Sequence, residues 1–181
     1  MNIHSNATPE TPQQHYVEHD HTPIRVLFVC LGNICRSPAA EGVFRHIVHR
    51  EKSDALFHID SAGTYRGHQG NLPDARMRNH AARRGYDLTH RARPVETSDF
   101  EDFDIILAMD DRNYDHLKRL APTVEDEKKI HRMVEFCRQY GHDCVPDPYY
   151  SGAEGFELVL DLLEDACQGL FDSLTAEKPG V

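Results

Sequence analysis

Apolar positions along this chain change their period several times, and each change marks an element. From Ile24 to Cys30 the run Ile-Arg-Val-Leu-Phe-Val-Cys is almost continuously apolar, the pattern of a parallel strand buried on both faces. A short polar loop follows, and Pro38-Ala39-Ala40-Glu41 opens a helix whose buried stripe is Val43, Phe44, Ile47 and Val48. Phe57 to Gly63 predicts a second short strand ending in turn residues, and Asp74 to Arg84 predicts a helix stopped by Gly85. Phe103 to Met109 predicts a third strand, after which Asp110 is placed to cap a helix running through Leu117 and Leu120. Ile130 to Phe136 predicts a fourth strand, and Phe156, Val159, Leu160, Leu163, Ala166 and Leu170 mark a long amphipathic final helix.

Strand and helix alternate with short connections, which predicts an α/β fold: a doubly wound four-stranded parallel sheet with helices on both faces. Ligands in such sheets gather beyond the carboxyl ends of the strands. The loop after the first strand lies at such an end, as do Ser61, Asp110 and, on the long connection after the fourth strand, Asp147-Pro148-Tyr149-Tyr150.

Residues 1–23 lack this patterning. They are rich in Asn, Gln, Thr, Pro and His and read as a disordered or loosely attached N-terminal extension, leaving 24–181 as one domain. His15, His19 and His21 offer three imidazoles to a metal, but a polar tail of this kind is more often simply solvated.

Composition narrows the chemistry. The net charge is −10, with Lys and Arg scattered through the 181 residues, so there is no footprint for a nucleic-acid backbone. Five cysteines, an odd number with no C-x2-C pair, argue against a disulfide framework and a structural zinc site, and point to a reducing cytoplasm. No run reaches the ~18 apolar residues of a membrane helix, and no secretion signal is visible, so neither a membrane nor export is expected.

The loop itself, Cys30-Leu31-Gly32-Asn33-Ile34-Cys35-Arg36-Ser37, is a sulfur nucleophile beside an oxyanion cradle. Five residues between Cys30 and Arg36 suffice for a tight turn whose backbone N–H groups point inward, onto the same anion as a helix N-terminus and a guanidinium. That field, with the Ser37 hydroxyl, favours anionic sulfur at Cys30, the form that attacks phosphorus. Without Arg36 six residues on, Cys30 would read as a small buried hydrophobe. Cys35 offers either a reversible disulfide with Cys30 or inert packing, whereas Cys137, Cys144 and Cys167 read as structural.

Together, Val29-Cys30-Leu31-Gly32-Asn33-Ile34-Cys35-Arg36-Ser37-Pro38, Asp60-Ser61-Ala62-Gly63-Thr64, Met109-Asp110 and Asp147-Pro148-Tyr149-Tyr150 resemble the low-molecular-weight protein tyrosine phosphatases from about Ile24 onward. The resemblance implies a phosphate-binding loop after strand 1 and metal-independent hydrolysis of phosphotyrosine, with no cofactor. Cys30 would form the phosphocysteine, Arg36 and the amides of Leu31 to Ser37 would bind the phosphoryl group, and Asp147 would be the general acid and then the base. Asn33, Ser61 and His90 would form a supporting network behind the loop. Leu31, Ile34, Tyr149 and Tyr150 would be the walls of a slot deep enough to select phosphotyrosine over phosphoserine, with Gly32 and Cys35 among the substrate-binding residues of the loop. Tyrosine-phosphorylated proteins are the implied substrates and a tyrosine kinase the implied counterpart.

Three other readings bear on this one. Thioredoxin-coupled arsenate reductases share fold and loop, but need two further mid-chain cysteines, and none lies between Cys35 and Cys137. Protein-arginine phosphatases typically carry a small Thr where Ile34 stands. A non-catalytic phosphotyrosine-binding module is the third. One departure concerns the rim: Tyr65-Arg66-Gly67-His68 places Gly67 where many relatives have a large aromatic, so that Tyr65 is a candidate replacement wall and Arg66 a candidate contact for acidic sequences.

Overall fold

The computed structural model describes residues 22–176. The first 21 residues of the expected extension, with His15, His19 and His21, lie outside the described residues. Strand β1 (Ile24–Cys30) is the hub. It pairs in parallel with β2 (Phe57–Gly63) on one side and with β3 (Ile105–Ala108) on the other, and β3 pairs with β4 (Ile130–Arg132), giving the all-parallel order β2-β1-β3-β4. Covered at both edges and both faces, Val26 to Cys30 are all buried, which is why this stretch reads as unbroken apolar sequence.

Alternation along β1 sorts its side chains into two cores. Val26, Phe28 and Cys30 face helices α1 (Arg36–Arg50), α2 (Ala75–Arg83) and α6 (Ala153–Ala176), whereas Leu27 and Val29 join Phe100 of α3 (Asp99–Asp102) and Leu117 of α4 (Asp111–Leu120). The doubly wound sheet with helices on both faces is therefore the observed fold. Because β1, β2 and β3 run the same way and in register, with Cys30 opposite Gly63 and Val29 opposite both Ala62 and Ala108, their carboxyl ends share one rim.

Boundaries differ from the sequence-based expectation at three points. The fourth strand is only Ile130–Arg132; Met133–Phe136 is a 3-10 turn, because the Glu135 carboxylate folds back to accept the Arg132 N–H at 3.3 Å and interrupts the extended run. The third strand is the four residues Ile105–Ala108. Two four-residue helices, α3 and α5 (Val124–Glu127), are too short to show a period. Helix α2 follows the pattern closely: Asp74 accepts from the N–H groups of Arg76 and Met77, and Gly85 takes the left-handed φ of +85° just past its end.

Candidate active site

Cys30 ends β1 inside the core, 2% exposed, and the next five residues fold into a loop that delivers the chain to α1. Asn33 makes the turn possible by adopting φ of +56°, a left-handed conformation its short polar side chain tolerates. Gly63 lets the loop approach β2, since a Cβ there would come within 2.8 Å of the Leu31 carbonyl oxygen. Helix α1 then starts at Arg36 with no side-chain cap and no acidic residue in its first turn, so no side chain of that turn occupies the place of an anion.

The sulfur is surrounded by donors. The Asn33 backbone N–H donates to Cys30 Sγ at 3.3 Å, and Ser37 Oγ lies 3.0 Å away. The direction of the Ser37 hydroxyl follows from its neighbours. Asn33 Nδ2 donates to Ser37 Oγ at 2.8 Å and to Ser61 Oγ at 3.0 Å, and the Ser61 hydroxyl donates to Glu41 Oε2 at 2.7 Å. Asn33 Oδ1 accepts from the Arg93 N–H at 3.0 Å and from His90 Nε2 at 2.9 Å, so the amide has no freedom to flip. The Ser37 proton is left to Cys30 Sγ or to the Ala62 carbonyl at 3.3 Å. Among the described residues, Glu41, Asp60 and His90 are the group with the spacing of metal ligands, their donor atoms lying within 4.8 Å of one another. Each is already engaged, Glu41 with Ser61 and Arg45, Asp60 with Arg93, and His90 with Asn33.

Arg36, 2% exposed, is aimed by three oxygens: Asp110 Oδ2 at 2.6 Å, the Val145 carbonyl at 3.1 Å and Asp147 Oδ2 at 3.5 Å. Burial opposes its charge, but Cys30, the Asp110 hydrogen bond and Asp147 hold the guanidinium above its ordinary value. Asp110 does two jobs at once, because its other oxygen caps α4 by accepting the Asn113 N–H at 2.9 Å. Asp147 stands at the opposite lip, partly exposed, its Oδ1 accepting the Tyr149 N–H at 3.1 Å. Burial, then the Asp74 carboxylate, pushes the Cys35 thiol far up, so Cys35 is a packed thiol in the resting protein.

A cleft of about 240 Å³ joins these parts. Cys30, Arg36 and Asp147 open into it with Leu31, Gly32, Ile34, Cys35, Tyr149 and Tyr150, while Asn33, Ser37, Ser61 and His90 stand behind the loop. The expected catalytic, substrate-binding and supporting residues are thus brought to one place. Tyr65 and His68 also line the cleft, as edge-to-face rings 5.6 Å apart, with the Tyr65 ring lying against bare Gly67. Arg66 turns away to Glu96 at 3.3 Å and does not line the cleft. Sequence reasoning missed Glu41, Asp60, Arg93, His68 and the role of Asp110 on Arg36. Only Asp110 carried a signal, a polar residue just past the end of a parallel strand.

Residues 25–179 match the low molecular weight phosphotyrosine protein phosphatase family. This chain belongs to that family. It is 42% identical to a low molecular weight protein-tyrosine-phosphatase of Streptomyces coelicolor over 86% of this chain and 96% of the relative. A protein tyrosine phosphatase of Entamoeba histolytica, crystallised with Hepes in its active site, superposes with a TM-score of 0.83 at 45% identity, covering 85% of this chain and 98% of that one. The Drosophila arginine phosphatase has the same fold at 30% identity, with a TM-score of 0.80 over 86% of this chain and all of that one.

Proposed function

We propose that this protein hydrolyses phosphotyrosine in proteins through a phosphocysteine intermediate, without metal or other cofactor. The supporting observation is that Cys30 Sγ, the uncapped start of α1 and the Arg36 guanidinium converge at the foot of one cleft, with Asp147 at its lip. In the first step Cys30 Sγ attacks phosphorus and the bond to the phenolic oxygen breaks. Asp147 gives that oxygen its proton. In the second step the Asp147 carboxylate takes a proton from water, the water oxygen bonds to phosphorus, and the P–S bond breaks to release inorganic phosphate and restore the sulfur. Arg36, held from behind by Asp110 and Val145, presents a planar fork to the equatorial oxygens, and the loop amides complete the cradle. The Ser37 hydroxyl steadies the sulfur when it carries charge, both before attack and as it leaves.

Ile34 favours an aryl ring over a phosphoguanidinium, since it presents a branched apolar chain to the cleft and packs against the core. Tyrosine-phosphorylated proteins of the cytoplasm are then the substrates and a tyrosine kinase the opposing enzyme. Among the described residues no helix is long and apolar enough to cross a membrane. The test is turnover of phosphotyrosine, phosphoserine and phosphoarginine peptides, without added metal, by the parent and by Cys30→Ser and Asp147→Asn. Selective phosphotyrosine hydrolysis, lost in the first variant and slowed in the second, is expected. Preference for phosphoarginine overturns the Ile34 argument, and binding without turnover by the parent replaces the enzyme with a phosphotyrosine-binding module.

A further inference from the structure

Arg76 stands outside the cleft, yet it touches a side chain that shapes it. Its guanidinium lies 5.3 Å from the centroid of the Tyr149 ring and 4.9 Å from that of Phe156. Nε and Nη2 donate to the two oxygens of Asp74 at 3.1 and 2.9 Å, and the Asp74 backbone N–H donates to the Ile34 carbonyl at 2.7 Å. Three parts of the fold therefore meet on one cation: the phosphate loop through Asp74, the final helix through Phe156, and the Asp147 loop through Tyr149.

These contacts are unequal in stiffness. Phe156 is 1% exposed and stacked on the His80 ring, 5.4 Å away and tilted by only 6°. Asp74 is fixed by the N-terminus of α2. Tyr149, by contrast, is exposed, and its other ring neighbour is Tyr150, 4.9 Å away and itself 95% exposed. A cation anchored on its rigid side attracts the face of an exposed ring and restricts where that ring rests. At a half-exposed site such a contact changes an equilibrium about two- to fivefold, enough to matter for a wall that has little else to hold it.

We infer that Arg76 is a positioning residue: it clamps Tyr149 as a wall of the cleft and so sets the affinity for the aromatic part of the substrate, while the phosphate loop binds the phosphoryl group independently of it. This rests on the phosphotyrosine reading in so far as the substrate carries a ring. A role confined to the start of α2 would leave substrate affinity untouched.

The experiment compares the full-length parent with Arg76→Gln and Arg76→Lys. KM for a phosphotyrosyl peptide is measured beside the inhibition constant of inorganic phosphate, which reaches the loop but not Tyr149. Arg76→Gln is expected to raise KM about threefold to fivefold with the phosphate constant within twofold of the parent, and Arg76→Lys, which keeps a cation without the planar fork, to fall between. An unchanged KM overturns the inference, and so does a parallel rise in both constants, which would mean general damage to the site. A parent that turns over no phosphotyrosine sinks the functional reading alone. The clamp is then read from the Tyr149 ring resonances in protein labelled with 13C-tyrosine: a shift in Arg76→Gln that is smaller in Arg76→Lys supports it, and no shift refutes it.

Discussion

The foot of the cleft and its rim are held by different physics. At the foot, Asn33, Arg36, Ser37 and Ser61 are each at most 2% exposed, and the Asn33 amide alone makes four hydrogen bonds, so every group there is located by several others. At the rim, Leu31, Tyr65 and Tyr150 are 50, 54 and 95% exposed and are held by ring contacts and neighbouring loops. A foot of this kind fixes the chemistry and tolerates no change, whereas the rim can be rebuilt without disturbing the reaction. Gly67 with Tyr65 folded over it is part of that rim.

Substitutions at the two levels should separate accordingly. Cys30→Ser is expected to reduce phosphotyrosine turnover by roughly four to six orders of magnitude while still binding phosphopeptide, checked by single-turnover kinetics and equilibrium binding. Asp147→Asn should slow release of an ordinary phenol by roughly two to four orders and that of p-nitrophenol, which leaves without a proton, far less. Equal losses for both would remove Asp147 as the acid. Asn33→Gly keeps the left-handed turn but deletes the amide, and should lower kcat/KM about tenfold and stability by about 1–3 kcal/mol in urea denaturation; an effect under twofold would mean the loop holds its shape unaided.

Between foot and rim, Asp74 links α2 to the phosphate loop. Its hydrogen bond from Arg76 holds the carboxyl below its ordinary value of 3.8. A depressed folded-state value means its contribution is fully present above about pH 4 and is lost as pH falls through that lower value. Asp74→Ala should therefore cost about 1 kcal/mol at pH 7, and the gap from the parent should narrow in acid rather than in alkali, read from urea curves at several pH values. Tyr150→Ala is expected to change kcat/KM less than about threefold and stability by less than about 0.5 kcal/mol, because its ring is in water.

What could be read from the chain follows the same division. Cys30, Arg36 and the start of α1 are adjacent in sequence, so their joint chemistry is visible as a motif. The strands of the sheet were legible because burial on both faces erases polar alternation in β1 and β3. Asp110 was legible as a helix cap, but its hold on Arg36, 74 residues away, depends on β1 and β3 being neighbours. Glu41 looked like one more first-turn helix residue, and only the fold brings Ser61 to it. Met133–Phe136 was misread as strand because one carboxylate, Glu135, decides against it. His68 lies in a loop, where no period announces which side chain turns inward.

The connection from Phe136 to α6 is pinned at two points along its path. The Asp165 carboxylate of α6 gathers the N–H groups of Arg138, Gln139 and Tyr140 at 3.0, 2.8 and 3.1 Å, and further on the Val145 N–H is tied to the Met109 carbonyl at 2.9 Å. Between those two anchors, Gly141, His142 and Asp143 are exposed, and Gly141 faces open space. Chain length at 141–143 is thus uncoupled from the placement of Asp147: residues gained or lost there are expected to leave Asp147 at the same lip. The opposite holds after Val145, where a single inserted residue is expected to shift Asp147 relative to Arg36.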